Sequence, residues 1–205
     1  MAKAARKPVT ARGELTRQKL LAAAESEFGE KGFHTASVSS ITRRAGVAQG
    51  TFYIYYASKE EILRELVRFM SRKLRHALTQ ATRGLTDRIE IERQGLIAFL
   101  EFAVKEKNLY RVVLESQFID ESIYREYYER LASTYEVRLR RAQEDGQIRK
   151  ASAYGQAWAL MGIGSFLGLR YPVWEGKVPP DEVIDAAMAF IRGGLLPDDS
   201  ASRSG

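Results

Sequence analysis

Side chains able to make polar contacts crowd into one short stretch of this sequence. Gln49, Gly50, Thr51, Tyr53 and Tyr55 fall within seven residues, between Gly46 and Ser58-Lys59-Glu60-Glu61. Phe52 and Tyr56 stand four apart and are expected to turn inward with Ile41 and Val47, leaving Gln49, Thr51, Tyr53 and Tyr55 facing outward. Three hydroxyls and an amide on the outside of one helical segment suit hydrogen bonds to phosphate oxygens and base edges. Gly50 lets a backbone approach closely, because no side chain intervenes. Lys59 opens the next helix, where its charge and the free N–H groups of the first turn can meet one phosphate. Other chemistry has little to work with. There is no cysteine, and His34 and His76 are the two histidines, so no metal site is expected. No nucleophile–base pair or phosphate loop stands out, so no catalytic residue and no cofactor are named. The acids fall in helical i,i+4 patterns with arginine, as in Glu126 and Arg130, which reads as a solvated face rather than an enzyme site.

The elements that must hold these residues are helices nearly throughout, so the fold class is all-α. Residues 1–13 read as a disordered basic arm, with Lys3, Arg6, Lys7 and Arg12 available for added phosphate or groove contacts. Leu20, Leu21, Ala24 and Phe28 share one face of a first helix from about Thr16 to Lys31. Ser37 can cap a second helix, Ser39 to Ala45, which Gly46 breaks by adopting a left-handed turn. A third covers Gln49 to Tyr55. Ser58 to Glu61 is a capping box opening a long fourth helix, with Leu63, Leu66, Val67, Met70 and Leu74 as its apolar stripe and Gly84 at its end. Further helices are expected near 87–105, 108–118, 121–144, 152–169 and 180–194. Tyr171 to Pro180 is expected to be a loop from its Pro and Gly content, and 197–205 a disordered tail. Two short helices joined by a Gly-containing turn make a helix-turn-helix, whose second helix fits a DNA major groove.

Charge agrees with that reading. Residues 1–59 hold ten basic and four acidic side chains, so the first third carries the whole +6 of the chain on a neutral body. Such asymmetry suits a polyanion partner. The N-terminus has no apolar segment of the secretory kind, and the longest nearly apolar run, Ala157 to Leu169, is too short to span a bilayer. No membrane partner and a cytoplasmic location are the expectations.

The run Ser37-Val-Ser-Ser-Ile-Thr-Arg-Arg-Ala-Gly-Val-Ala-Gln-Gly-Thr-Phe-Tyr-Ile-Tyr-Tyr-Ala-Ser-Lys-Glu60 resembles the signature of the TetR/AcrR family of transcription regulators. Ala45-Gly-Val, Gly50-Thr-Phe-Tyr53, Tyr55-Tyr56 and Ser58-Lys59-Glu60 fall in register, and the likeness covers about residues 14–65. It departs at Tyr56, where the family commonly has Phe, and at Thr42, where Ala is frequent. The resemblance implies a helix-turn-helix DNA-binding domain over 14–58 and a helical ligand-binding and dimerisation bundle over 59–196. It implies a homodimer that binds double-stranded operator DNA as a repressor and is released by a small-molecule effector. By position, Ser37, Thr51, Tyr53, Tyr55 and Lys59 would grip phosphates. Gln49, Gly50 and Thr51 would lie nearest base edges, and Arg44 could reach either.

The body is less specific. Among its many aromatics, Phe102, Tyr110, Phe118, Tyr127 and Trp158 are the candidates to line an effector pocket, with core filling as the alternative for each. The last two helices should form the dimer interface by the same resemblance, through Gly164, Gly168, Ile184, Ala187, Met188 and Ile191, or else pack wholly within one chain. The stretch from Met161 to Gly176 resembles family members that answer to fatty acids or their coenzyme A esters, so a long-chain acyl-CoA or fatty acid is the effector expected. An aromatic acid or a cationic drug stays open, as does a DNA-binding protein that takes no small ligand.

Overall fold

The computed structural model describes residues 10–197, and every regular element among them is helical. The order is α1 (Ala11–Lys31), α2 (Val38–Ala45), α3 (Gln49–Tyr55), α4 (Lys59–Ala81), α5 (Arg88–Lys105), α6 (Lys107–Ile119), α7 (Glu121–Glu144), α8 (Ala153–Gly168), a π-helical turn (Leu169–Glu175) and α9 (Asp181–Leu195). The chain forms two compact units. The first holds the described residues up to Arg72 together with Glu106–Tyr127, and the second holds Lys73–Lys105 and the described residues from Tyr128 onward. This division differs from the cut between residues 58 and 59 expected above, because α6 groups with the N-terminal helices.

In the first unit, α1 begins at Ala11, ahead of the expected Thr16. Thr10 is its cap, the hydroxyl accepting from the Gly13 N–H at 3.1 Å, and Glu14 sits in the first turn, where the helix dipole favours an acid. Residues 10–13 of the expected disordered arm are therefore ordered around a helix start. The rest of that arm and the tail from 198 lie outside the described residues. Leu20, Ala24 and Phe28 of α1, Ile41 of α2, Phe52 of α3 and Ile62, Leu66 and Met70 of α4 are all essentially fully buried. Each large side chain among them contributes about 1.5–3 kcal/mol of burial. α6 packs on α1 at backbone distance. A Cβ on Gly29 would lie only 2.8 Å from the Cα of Asn108, so glycine is what permits that approach. Glu115 of α6 also accepts the Phe33 N–H at 2.9 Å, in the turn leading to α2.

The second unit is built on α5, α8 and α9, with the C-terminal part of α7. Leu100, Leu139, Ala157, Ile184, Met188, Ile191 and Leu195 belong to one buried cluster. Asp87 caps α5, accepting the Glu90 N–H at 2.7 Å. Gly146 closes α7 at φ 72°. Arg149 holds the end of α9, donating through Nε to the Leu196 carbonyl at 2.8 Å and through Nη2 to the Gly193 carbonyl at 2.9 Å. A guanidinium there satisfies carbonyls that the helix leaves open.

One expectation fails in this unit. Residues 169–175, read in part as loop, continue α8 as a π-helical turn that contains Pro172. In an α-helix the proline ring would meet the carbonyl four residues back, on Gly168. Widening the turn relieves that clash and carries the chain on without a break. Gly176, at φ 70° and ψ 22°, ends the turn by donating its N–H to the Tyr171 carbonyl.

Candidate nucleic-acid interface

The helix-turn-helix is set by local signals. Ser37 caps α2 in a reciprocal box: its hydroxyl accepts from the Ser40 N–H at 3.0 Å, and its own N–H donates to Ser40 Oγ at 3.1 Å. Gly46 takes the left-handed conformation at φ 68°, ψ 35° and turns the chain into α3. Phe52 and Tyr56 are buried as expected, their ring centroids 5.7 Å apart. Burial pushes the Tyr56 hydroxyl up to about 12, with the Arg17 guanidinium partly opposing.

The outward face of α3 is not quite the one expected. Gln49 and Gly50 are exposed, Tyr53 is 55% exposed, and Thr51 and Tyr55 are half-buried. Ile54 was absent from the expected set and is 63% exposed. Helical phase accounts for this. At about 100° per residue, Ile54 lies roughly 200° from buried Phe52, whereas Tyr55 returns toward the buried side. An apolar side chain there suits the methyl group that thymine presents in a major groove. Gly50 shares the outermost line, and a Cβ there would meet nothing within 4 Å. Folding does not require glycine at this place.

Three cations expected or available near α3 have different surroundings. Arg44 is engaged internally: Nε donates to Glu27 at 2.8 Å, while its two terminal nitrogens reach the two oxygens of Glu30 at 2.8 and 2.7 Å. Glu27 is itself buried, and Lys31 first of all, then Ser40 and Arg44, hold its carboxyl below the usual value. Lys59 donates to the Phe33 and Ala36 carbonyls at 2.7 Å each and lies 4.3 Å from the Phe33 ring centre. Two of its three N–H donors thus hold the turn before Ser37, which makes it a clamp on the entry to α2. Arg43, by contrast, is exposed, and no described residue pairs with it. The sequence alone does not show the two acids that α1 brings to Arg44.

The second unit contains a half-open cavity of about 210 Å3 lined by α4, α5, α7, α8 and α9. Leu96, Leu160, Met161 and Ile191 form much of its buried wall, beside Phe99, Gly164, Arg75, Arg88, Glu92, Tyr135 and Arg138. None of the five expected pocket aromatics lines this cavity. Phe102 is buried in the second unit, and Trp158 is half-buried there, stacked on Tyr128 at 6.3 Å. Tyr110 and Tyr127 are buried in the first unit, where burial raises both hydroxyls, Tyr110 to about 12. Phe118 is 83% exposed. The cavity wall mixes aliphatic side chains with three threonines and three arginines, a composition that a count of aromatics does not reveal.

The expected dimer residues lie mostly inside one chain. Ile184, Met188 and Ile191 belong to the buried cluster, Ala187 packs against it, and Gly164 and Gly168 are buried. A Cβ on Gly164 would sit 3.6 Å from the Phe99 ring, so this glycine sets the approach of α5 to α8. The apolar side chains left outside are one step around the helices. Phe166 is 75% and Phe190 80% exposed, with Ala159 and Ala186 also exposed.

Comparison with known proteins agrees with this geometry. Residues 20–66 match the family model described as bacterial regulatory proteins, tetR family. A segment of 105 residues is 30% identical to the HTH-type transcriptional activator FasR of Mycolicibacterium smegmatis, covering 51% of this chain and 48% of that protein. A segment of 44 residues is 46% identical to the fatty acid metabolism regulator protein of Bacillus subtilis, covering 22% of this chain and 23% of that one. The chain therefore spans half or less of the curated relatives it matches. In fold it is similar to the fatty acid degradation regulator FadR from Bacillus halodurans, at a TM-score of 0.77 and 19% identity over 92% of this chain and 98% of that one. Among the described residues no helix is long and apolar enough to cross a membrane.

Proposed function

From the match of residues 20–66 to the tetR family of bacterial regulatory proteins, we propose that this chain is a homodimeric repressor that binds operator DNA in the cytoplasm and leaves it when a small, largely apolar effector binds its C-terminal bundle. The observation that carries the reading is α3. It buries Phe52 and Tyr56 and presents Gly50, Tyr53 and Ile54 outward, beside the unpaired Arg43 of α2. Such a helix fits a major groove, with Tyr53 and Ser37 on phosphates, Gln49 and Thr51 at base edges and Ile54 against a thymine methyl.

A second copy is the partner for the exposed apolar residues of α8 and α9. Ala159 and Phe166 recur at seven residues on α8, and Ala186 and Phe190 at four on α9. Two such helices per subunit make a four-helix interface about a two-fold axis, which sets two recognition helices on successive grooves of a near-palindromic site. The effector class is a long-chain fatty acid or acyl-CoA. The apolar cavity supports it, as do the printed names of the Bacillus subtilis and Bacillus halodurans regulators. Effector and DNA would oppose one another reciprocally.

The deciding experiment is a mobility shift on the DNA upstream of the protein's own reading frame, with and without long-chain acyl-CoAs and fatty acids, paired with a reporter in cells. A sequence-specific shift released by the ligand, with reporter output rising, is the expected result. A shift that no acyl ligand releases removes the effector class. Reporter output that falls when the protein is deleted makes it an activator. Absence of any specific shift, there or across genomic fragments, removes the DNA-binding reading.

A further inference from the structure

The cavity of the second unit holds three arginines in two different electrostatic states. Arg88 is buried and satisfied: its guanidinium pairs with Glu92 one turn along α5, with Nε at 2.8 Å, and lies 5.8 Å from the Tyr135 ring centre. Tyr135 in turn donates its hydroxyl to the other oxygen of Glu92. This closed triad presents no spare charge to a ligand. Arg75 and Arg138 also line the cavity, yet no described side chain pairs with either. Many of the chain's other arginines are paired, including Arg17, Arg44, Arg64, Arg68, Arg93 and Arg140.

Burial orders the wall from outside inward. Arg138, Thr79 and Thr134 are exposed and Arg75 is half-buried, whereas Leu96, Leu160, Met161 and Ile191 are buried. The rim therefore carries two uncompensated guanidiniums and hydroxyl donors, and the floor is apolar around the closed Arg88–Glu92 pair. Guanidiniums pair with carboxylate and phosphate oxygens in a bidentate geometry that neutral head groups cannot use.

We infer that this cavity takes an amphiphile with an anionic head, its chain directed to the floor and its carboxylate or phosphate held at the rim by Arg75 and Arg138. The inference rests on the proposed effector role of the cavity and adds the orientation, the charge and the two residues that select it. It excludes a cationic ligand, which the rim would repel.

The test is calorimetric titration of the full chain with decanoate, decyl phosphate, decanol and decylamine. The anions are expected to bind about tenfold more tightly than decanol, the difference between a charge-assisted and a neutral hydrogen-bonded head group, and decylamine least well. In the double variant Arg75→Gln with Arg138→Gln, the anions fall to the affinity of decanol, while decanol itself is unchanged. Circular dichroism and the melting curve check that this variant folds. Preference for decyl phosphate over decanoate identifies a phosphate head, and the reverse a carboxylate. Equal binding of decanol and the anions, or a preference that survives in the double variant, overturns the rim assignment and leaves the cavity as an effector site. Met161→Trp, which fills the floor, should abolish binding of every chain alike. If it does not, or if no member of the set binds wild type, the effector role of the cavity falls and the inference with it.

Discussion

The helices around α3 and the helices α8 and α9 each present apolar side chains to solvent, but they come to it by different routes. On α3 the inward and outward sides follow from neighbours within a few residues: the Ser37 cap, the Gly46 turn and the Phe52–Tyr56 pair. On α8 and α9 the assignment depends on which distant helix covers which stripe. There α5 covers Ile184, Met188 and Ile191 and leaves Phe166 and Phe190 outside. Local rules identify a binding face when the element is short and held at both ends. They identify only the periodicity when the element is long and apolar nearly all round, as α8 is.

The strongest way to break this contrast is to delete one inward anchor from each region. Phe52→Ala should cost about 3–5 kcal/mol, read by urea unfolding, with Met188→Ala costing about 2–5 kcal/mol. An interface residue of the kind expected from the sequence would instead leave monomer stability nearly unchanged. The complementary change is Phe166→Glu with Phe190→Glu. It should convert a dimer to a monomer in sedimentation while altering the stability of the monomer by only about 0.5 kcal/mol. A dimer that survives both substitutions would return the interface to other surfaces.

The charged residues sharpen the same comparison at smaller effect. Arg44→Ala removes a partner from buried Glu27 and should lower stability by about 1–2 kcal/mol, with the salt dependence of DNA binding unchanged. Because the Glu27 carboxyl is held below its usual 4.5, its contribution is present above that pH and is lost as the pH falls through the lower folded value. The acid-unfolding midpoint should therefore rise in Arg44→Ala. Arg43→Ala should do the reverse, leaving stability alone and reducing the salt slope by about one charge. Gly50→Ala is the subtlest. A glycine inside a helix costs about 0.5–1 kcal/mol relative to alanine, so the variant should melt slightly higher while binding DNA more weakly. Unweakened binding would show that no backbone approaches DNA at this point.

Much of the fold was legible because its boundaries are written locally. The limits of α3 and α7 agree with expectation at both ends, and Asp87, Gly46 and Gly146 act as read. Where the structure adds what the sequence does not show, the cause is a partner elsewhere in the chain or a local device outside the usual menu. Arg44 looked available until α1 brought Glu27 and Glu30 to it. Lys59 meets carbonyls in the turn before α2. Pro172 looked like a helix breaker and is accommodated by a wider turn. The exposure of Ile54 follows from helical phase alone, although its side chain is apolar and carries no polar signal.

Gly29 has a consequence for how this protein comes apart. With α6 seated against α1 at backbone distance, and Glu115 holding the Phe33 amide, α6 and the N-terminal helices should open together in amide hydrogen exchange, as one foldon assembled from distant stretches of chain. Cutting the chain after α4 to isolate a minimal DNA-binding fragment would strip α1 of that cover. The first compact unit is discontinuous in sequence, and a circular permutant joining α6 to α1 is the natural way to obtain it as one piece.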